Sequence, residues 1–319
     1  MQSGTLTTDL AGVELRNPMV LAAGTCGYLD ELADAADLSG VGAVVTKSIT
    51  PLPREGNPTW RILDSRCGML NAIGLANVGL DHFIEHVGPR IAGFTQRTGT
   101  RVVGSVAGFS VEDYVLVAGG LAGVEGIAAV EMNVSCPNVR GGVEFGLDPG
   151  ALREVVSAVA PGLGGKPLIV KLGPVVAGPA GGTIADLARA AIQSGARALC
   201  VANTVPAMAI DVRTRRPRLA NTTGGLSGPG IHPIAVRLVY EVHRRVAREA
   251  GVPLVGLGGV MTWEDAAEMI LAGASAVGMG TALFADPRAP LRAARGLARW
   301  VESQGRSSVG ELVGAVEVE

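Results

Sequence analysis

The segment Gly126-Ile-Ala-Ala-Val-Glu-Met-Asn-Val-Ser-Cys-Pro-Asn-Val139 passes from an apolar run into a cluster of polar side chains. Its first part, 126–130, is short and apolar, which predicts a buried β-strand. Two amides, a hydroxyl and a thiol follow it, namely Asn133, Ser135, Cys136 and Asn138. Because Pro137 stops regular structure there, the thiol is expected at a strand end among amides, which is typical of a catalytic site. The alternative is a core cysteine, since free cysteines are usually buried.

The strand in this segment is one of eight apolar segments along the chain. They lie at 19–22, 43–46, 101–106, 128–132, 168–172, 198–202, 253–257 and 276–279. Near-continuous hydrophobicity is typical of strands buried on both faces of a parallel sheet. Helical patterns lie between several of them, at 149–159, 184–194, 233–250 and 262–271. Repeated alternation of this kind predicts a (β/α)₈ TIM barrel.

An open, doubly wound sheet is the second possibility for the fold. It would need a G-x-G-x-x-G turn after its first strand, and Gly24-Thr-Cys-Gly27 does not match that pattern. We therefore expect one barrel domain over 1–319, with a short N-terminal extension and long insertions after strands 2 and 6. The second insertion carries the basic run 213–218, which we expect to be a solvated hairpin rim.

Several helix ends carry recognisable capping residues. Asp148-Pro149 predicts an N-cap followed by proline at the first helical position, and Thr262 with Asp265 predicts a capped start for a second helix. Gly195 and Gly273 predict helix C-termini. These local signals agree with the helix positions that the apolar pattern predicts.

Composition narrows the class of protein. The chain has 319 residues, of which 48% are hydrophobic and 18% charged, and its formal net charge is -2. Such a balance does not favour binding to nucleic acid or to an anionic membrane. The four cysteines form no C-x-x-C pair, so we expect no zinc or iron–sulfur cluster in this chain. The first fifteen residues lack signal-peptide character, and no apolar stretch reaches about 20 residues; we expect a cytoplasmic protein.

The predicted strand ends converge on one rim of the barrel, where the active site of this fold lies. Lys47 and Lys171 end two of the strands, and lysine is rarely buried there unless it is paired. A functional role is therefore favoured over a salt bridge within the barrel. The pairs Gly258-Gly259 and Gly280-Thr281 follow strands seven and eight. Glycine turns at these positions frequently bind phosphate through backbone N–H groups.

Together, these motifs resemble the dihydroorotate dehydrogenase family over essentially the whole chain. The motifs are Lys47-Ser48, Asn71-Ala-Ile-Gly-Leu75, Asn133-Val-Ser-Cys-Pro-Asn138, Lys171, Asn203-Thr204, Gly224-Gly-Leu-Ser-Gly-Pro229, Gly258-Gly259 and Gly280-Thr281. The cysteine at 136 is similar to class 1 members, since class 2 uses serine there. Two further stretches are most similar to class 1B. One is Gly141-Gly142 with Phe145-Gly146, and the other runs from 208–211 to 226–228.

The resemblance implies oxidation of dihydroorotate to orotate in de novo pyrimidine (UMP) biosynthesis, with hydride transfer to FMN. Electrons would pass to NAD through an iron–sulfur and FAD-containing electron-transfer subunit, and the barrel would be a homodimer within a heterotetramer. Cys136 would be the general base. The substrate would be held by Lys47, Asn71, Ala72, Ile73, Gly74, Leu75, Asn133, Asn138, Asn203 and Thr204. The cofactor would be held by Ala23, Lys47, Ser48, Ser105, Asn133, Lys171, Ala202, Gly228, Gly258, Gly259, Gly280 and Thr281.

Three positions depart from the family pattern. The family usually has serine where this chain has Ala23, asparagine where it has Ser105, and often asparagine where it has Val175. The first two remove polar side chains that the resemblance implies as flavin contacts. We therefore expect these two departures to affect the affinity for FMN and not the reaction that is catalysed.

Other functions remain open at this point. One is a class 1A-like enzyme that reduces fumarate without a partner, and another is a related flavin-dependent dihydropyrimidine dehydrogenase. A third is a barrel that binds flavin or phosphate without turnover, which Cys136 and the two lysines argue against. The glycines at 141, 142 and 146 further predict a flexible lid over the reacting centre.

Overall fold

The computed structural model describes residues 4–134, 145–175 and 182–318. Cys136, Asn138 and Gly141-Gly142 therefore lie outside the described residues, and so does the greater part of the predicted lid. The strands, in chain order, are β1 (Thr8–Leu10), β2 (Val13–Leu15), β3 (Met19–Leu21), β4 (Ala43–Val45), β5 (Ile62–Ser65), β6 (Gly68–Asn71), β7 (Arg101–Val106), β8 (Ile127–Asn133), β9 (Leu168–Leu172), β10 (Ala198–Val201), β11 (Val205–Ala207), β12 (Ile210–Asp211), β13 (Arg216–Pro217), β14 (Gly224–Ser227), β15 (Leu254–Leu257) and β16 (Ala276–Met279).

Helices surround these strands. The α-helices are α1 (Leu80–His82), α2 (Gly88–Thr98), α3 (Val111–Ala122), α4 (Pro149–Val159), α5 (Ile184–Gln193), α6 (His232–Val242), α7 (Arg248–Ala250), α8 (Trp263–Ala272), α9 (Ala282–Ala285) and α10 (Ala289–Ser303). Short 3₁₀ turns lie at Leu38–Gly40, Ala160–Leu163, Pro229–Ile231 and Val309–Leu312, and π-helical turns at Phe83–Val87 and His243–Ala247. No helix in the described ranges is long and apolar enough to cross a membrane.

Eight parallel strands close into a barrel in the order β3-β4-β7-β8-β9-β10-β15-β16. The closure joins the last strand to the first, with Val20 opposite Gly278. All eight predicted strands are the barrel strands, so the TIM-barrel prediction is confirmed and the open sheet is excluded. The β1–β2 hairpin precedes the barrel, as the predicted N-terminal extension.

Side chains alternate between the inside of the barrel and the helical layer. Inward positions hold small or branched side chains, such as Val45, Val103 and Ala129, which pack together within the barrel. Neighbouring positions, such as Val44 and Val130, belong to the larger cluster that includes the helices. This two-sided burial explains why the strands read as continuous apolar runs.

The predicted helix ends are present in the structure. The Asp148 side chain accepts a hydrogen bond from the backbone N–H of Ala151 at the start of α4. Thr262 and Asp265 form a capping box at the start of α8, and Gly273 ends that helix with a φ of 120°. The helix predicted at 233–250 begins one residue earlier and runs through α6, a π-helical turn and α7.

The two insertions meet in a single antiparallel sheet with the order β11-β14-β6-β5. Strand β6 of the first insertion pairs with β14 of the second, with Leu70 opposite Leu226. The sheet closes over its own small apolar cluster of Leu70, Ala72 and Leu219. The basic run lies on the exposed β12–β13 hairpin, as predicted.

Candidate active site

A cleft of about 240 Å³ opens where the barrel strands end and the insertion sheet begins. Its wall includes most of the residues that the sequence predicted for ligand binding. These are Ala23, Lys47, Ser48, Asn71, Ile73, Leu75, Asn133, Lys171, Ala202, Asn203, Thr204, Gly228, Gly258, Gly259, Gly280 and Thr281. Residues from many parts of the sequence therefore converge on one site.

Lys47 and Lys171 are the charged side chains that line the cleft, and within the described ranges no carboxylate does. A cleft with two cations and polar neutral groups favours an anionic ligand, because bound negative charge replaces water around the ammonium groups. Hence the cleft suits a ligand that carries a carboxylate, a phosphate or both.

Lys47 follows β4, and its backbone N–H donates to the carbonyl of Gly27 at 2.9 Å. Partial burial lowers the pKa of its side chain, and the nearby Arg61 lowers it further, while Glu31 acts in the opposite direction. Desolvation and a like charge both disfavour the protonated form of an amine. A bound anion would relieve both penalties.

Lys171 is buried in β9, and its Nζ lies 3.8 Å from Oε1 of Glu131 in β8. The sequence posed a functional lysine and a lysine in a barrel salt bridge as alternatives. The structure shows the contact with Glu131 and places Lys171 in the cleft wall, so the two alternatives are compatible; the functional role stays a prediction.

Three amide side chains supply the hydrogen-bonding groups of the wall. Asn203 Nδ2 donates to Oδ1 of Asn133 at 3.2 Å, and the Thr204 backbone N–H donates to Oδ1 of Asn203 at 2.7 Å. Asn71 enters from the insertion sheet, where its Nδ2 donates to the carbonyl of Gly225 at 3.3 Å. An amide offers both donors and acceptors, which suits a ring that itself carries amide groups.

Ser105 lies behind the wall rather than in it. Its hydroxyl is 2.8 Å from that of Ser48, and both residues are buried. The backbone N–H of Ser105 donates to Oγ1 of Thr46 at 3.0 Å. Ser105 can thus orient Ser48, which does line the cleft. Ala23 lines the cleft with a methyl group, so no polar side chain is offered there.

The glycine turns form one side of the cleft from bare backbone. Gly258 and Gly259 have φ angles of 146° and 69°. A Cβ on Gly259 would lie 2.7 Å from the carbonyl oxygen of Gly228 and 2.8 Å from the backbone nitrogen of His232. Only glycine fits so close an approach without displacing the neighbours. Turns of this kind present backbone N–H groups to an anion.

The second turn adds a hydroxyl at the same place. Thr281 Oγ1 donates to Oγ of Ser227 at 2.8 Å, directly before α9. Ser227 belongs to β14 and also lines the cleft. The insertion sheet and the eighth barrel strand are thereby joined at the predicted phosphate site.

Besides Ser105, two predicted positions among the described residues are not in the wall. Ala72 packs in the small cluster of the insertion sheet, and its carbonyl accepts a hydrogen bond from Asn57 Nδ2 at 2.9 Å. Gly74 adopts a φ of 75° next to Asn57 and likewise does not line the cleft. They shape the segment that carries Asn71, Ile73 and Leu75. Cys136 and Asn138 lie outside the described residues.

Sequence reasoning missed several of the apolar residues of the wall. They include Ile62, Met69, Ile231, Leu257 and Phe284. Ile62 and Met69 come from the insertion sheet, whose alternating strands are a weak signal in so short a stretch. These residues provide apolar surface next to the polar groups, as cofactor sites usually do.

Comparisons with known proteins identify the family of the chain. A family model described as "Dihydroorotate dehydrogenase" matches residues 5–301. A protein of Geobacter sp. (strain M21) named "Dihydroorotate dehydrogenase B (NAD(+)), catalytic subunit" is 45% identical over 319 residues, covering 100% of both chains. A protein of Pelobacter propionicus with the same name is 47% identical, covering 98% of each chain. A protein of Solibacter usitatus named "Putative dihydroorotate dehydrogenase A (fumarate)" is 46% identical, covering 98% of each.

Proposed function

The chain belongs to the dihydroorotate dehydrogenase family, and on that premise we propose that it oxidises dihydroorotate to orotate in pyrimidine biosynthesis. In this proposal FMN is the resident cofactor, and NAD is the final acceptor through a partner subunit. The observation that carries it is the cleft: two lysines and three amides line it together with a glycine-built anion site. That set fits a planar ring, a carboxylate and a phosphate at once.

The residues of the cleft fit FMN. Gly228, Gly258, Gly259, Gly280 and Thr281 would hold its phosphate. A Cβ on Gly228, Gly258 or Gly259 would lie within 3 Å of a neighbouring atom, so this wall is bare backbone at those three positions. The other cofactor contacts would come from Ala23, Lys47, Ser48, Asn133, Lys171 and Ala202, with Ser105 supporting Ser48. When bound, FMN supplies the acceptor for the hydride that leaves C6 of dihydroorotate.

The protein's own residues would hold the substrate and move its proton. Asn71, Asn133 and Asn203 would bind the amide groups of the pyrimidine ring, and Lys47 its carboxylate. Asn138, Thr204 and the segment 72–75 complete the proposed substrate set. This arrangement orients C5 and C6 of the ring, and orientation of reacting groups is itself a large part of catalysis.

Cys136 would take the proton from C5. An unperturbed thiol has a pKa of about 8.5, so a modest depression provides a base near neutral pH. The residue follows Asn133 and Val134 at the end of β8. A lid formed by the glycine-containing segment after it would keep water from the reacting centre.

The electron acceptor is the finer part of the proposal. The relatives named "catalytic subunit" support a partner chain, to which we attribute an iron–sulfur cluster and FAD. The relative named for fumarate is similarly close, so direct reduction of fumarate is the second candidate. A dihydropyrimidine dehydrogenase lacks such support among these relatives.

One experiment separates these acceptors. The purified chain, alone and reconstituted with its candidate partner, is mixed with dihydroorotate and either NAD or fumarate. We expect NAD reduction with the partner only. Rapid fumarate reduction by the isolated chain, with no NAD reduction in either state, would replace the NAD proposal. Absence of orotate formation with any acceptor would overturn the dehydrogenase itself. Acid or heat should release FMN from the protein.

We also propose a homodimer formed through the insertions. Large apolar side chains are exposed there, including Leu52 at 75%, Trp60 at 71% and Val212 at 83%. Burial of these side chains against a second copy would remove them from water, which is the usual reason for large exposed apolar residues at a protein interface. Sedimentation should show a dimer that Val212→Glu weakens, and a wild-type monomer at micromolar concentration would contradict it.

A further inference from the structure

Glu131 is a buried carboxylate directly behind the cleft wall. It is 4% exposed, and Lys171, at 5%, is its ion-pair partner. Lys171 lines the cleft, whereas Glu131 does not. The register of the barrel explains this arrangement, because Lys171 lies opposite Asn133 while Glu131 lies two residues earlier, opposite Ile169. The carboxylate therefore sits one step deeper in the barrel than the ammonium.

The contact between the two groups is electrostatic without being a hydrogen bond. Nζ and Oε1 are 3.8 Å apart, and within the described residues this oxygen has no hydrogen-bond partner. The ammonium of Lys171 thus uses no hydrogen-bond donor on Oε1 of Glu131. Glu131 meanwhile compensates the charge of Lys171. Without such a partner, a charged lysine at this depth would carry a large desolvation cost.

Cys200 is a third polar group of the same buried layer. Cys200 is fully buried opposite Lys171 in the neighbouring strand. Burial raises the pKa of the Cys200 thiol, and the negative charge of Glu131 raises it further. Cys200 therefore stays neutral, which leaves Glu131 and Lys171 as the charged pair of this layer.

We infer that Glu131 is a positioning residue that sets the reduction potential of the bound flavin through Lys171. The inference rests on the proposed function. Reduction adds negative charge to a flavin, and a nearby cation stabilises that charge. The negative charge of Glu131 and the positive charge of Lys171 sum to zero beneath the cleft. Lys171 therefore acts on the flavin at short range, as a hydrogen-bond donor, while Glu131 offsets its electrostatic potential at longer range.

The test measures the midpoint potential of FMN in the holoprotein and in variants of the pair. Glu131→Gln keeps the shape of the side chain and removes its charge, so the potential should rise. Lys171→Gln should lower it, and the double variant should return close to wild type. The potential reports how much more tightly the protein binds reduced FMN than oxidised FMN. Removing one unit charge in protein of intermediate dielectric should change this affinity ratio by about tenfold or more.

Two control variants separate charge from packing. Glu131→Asp keeps the charge and should stay near the wild-type potential, whereas Cys200→Ser alters the same buried layer without changing its charge and should also leave the potential in place. An unchanged potential in Glu131→Gln would overturn the inference, and so would shifts of the same sign in both single variants. If Glu131→Gln lost its flavin, the double variant would still test the inference, because its potential should lie above that of Lys171→Gln. Equal potentials in those two variants would overturn the inference.

Failure of this inference is distinguishable from failure of the proposed function. A wild-type protein that binds no FMN, or whose FMN is not reduced by dihydroorotate, contradicts the function. A wild-type protein that is reduced by dihydroorotate, with potentials that ignore the charge at position 131, contradicts only the role of Glu131.

Discussion

Asn203 donates its side-chain N–H to the side-chain oxygen of Asn133 at 3.2 Å, and this bond links the end of β8 to the segment that follows β10. The side-chain oxygen of Asn203 in turn accepts a hydrogen bond from the backbone N–H of Thr204. The amide group of Asn203 therefore has a defined orientation before substrate arrives, which lowers the entropic cost of binding.

Asn203→Asp should weaken orotate binding by about tenfold to a hundredfold, the usual worth of a hydrogen bond to a charged group. The new carboxylate would face the oxygen of Asn133 and the negative charge of orotate. FMN content should change little. Orotate affinity is measured by titration of the flavin absorbance, with Asn221→Asp, an exposed position of the same insertion, as the control. Equal effects at both positions would contradict the placement of Asn203.

Cys136→Ala should slow flavin reduction by dihydroorotate by about two to four orders of magnitude, the usual worth of a positioned base. Orotate should still bind. Rapid mixing under anaerobic conditions measures the rate, and Cys136→Ser should keep a little activity that rises with pH. Reduction at close to the wild-type rate in Cys136→Ala would show that another group takes the proton.

Gly259→Ala should lower the affinity for FMN more than the affinity for riboflavin, which lacks the phosphate. The added Cβ would lie 2.7 Å from the carbonyl oxygen of Gly228, so the turn must open. Gly251→Ala is the matched control, because its φ of 64° is similar and no atom lies within 4 Å of the added Cβ. Both variants place a Cβ in the left-handed backbone region, which costs about 1–2 kcal/mol of stability. Only Gly259→Ala should also weaken binding of the FMN phosphate. Equal loss for both ligands would argue against a phosphate site.

Orotate binding should weaken at alkaline pH as Lys47 loses its proton. Its pKa is lowered from the ordinary value of 10.5 by burial and by Arg61. A base with a lowered pKa deprotonates earlier as pH rises, so the loss should begin below that value. The measurement uses Cys136→Ala, which removes the thiol. Tyr28 does not interfere, since burial raises its pKa above 10.0.

Lys47→Arg in the same background provides the control for this pH profile. Arginine stays protonated far above the range of lysine, so its profile should be flat over the range where Lys47 titrates. An identical alkaline decline in the arginine variant would assign the titration to another group.

Much of the fold follows from local pattern. The barrel strands are buried on both faces, which makes each one a short apolar run that can be recognised without its neighbours. Asp148 and Thr262 bind backbone groups within three residues of themselves, so their capping is a local property as well. The pairing of β6 with β14 is different. Its strands are short, and nothing near Leu70 indicates that Leu226 lies opposite it.

The candidate site divides in the same way. Lys47, Lys171 and the glycine turns could be predicted because the fold places strand ends on one rim. The position of Ser105 behind Ser48 could not be predicted, since it depends on which face of β7 meets the segment that follows β4. The apolar contribution of Ile62 and Met69 depends on a sheet built from two distant insertions.

The amino-acid sequence by itself determined the number and order of the barrel strands, the helix ends and the chemistry available at the rim. These depend on periodicity and on contacts between near neighbours, which a linear pattern records. The tertiary structure alone decided that Glu131 lies beneath Lys171 and that Asn133 and Asn203 share a hydrogen bond. Such contacts depend on barrel register and closure. They are set by packing between strands that are far apart in the chain, where no local signal specifies the partner.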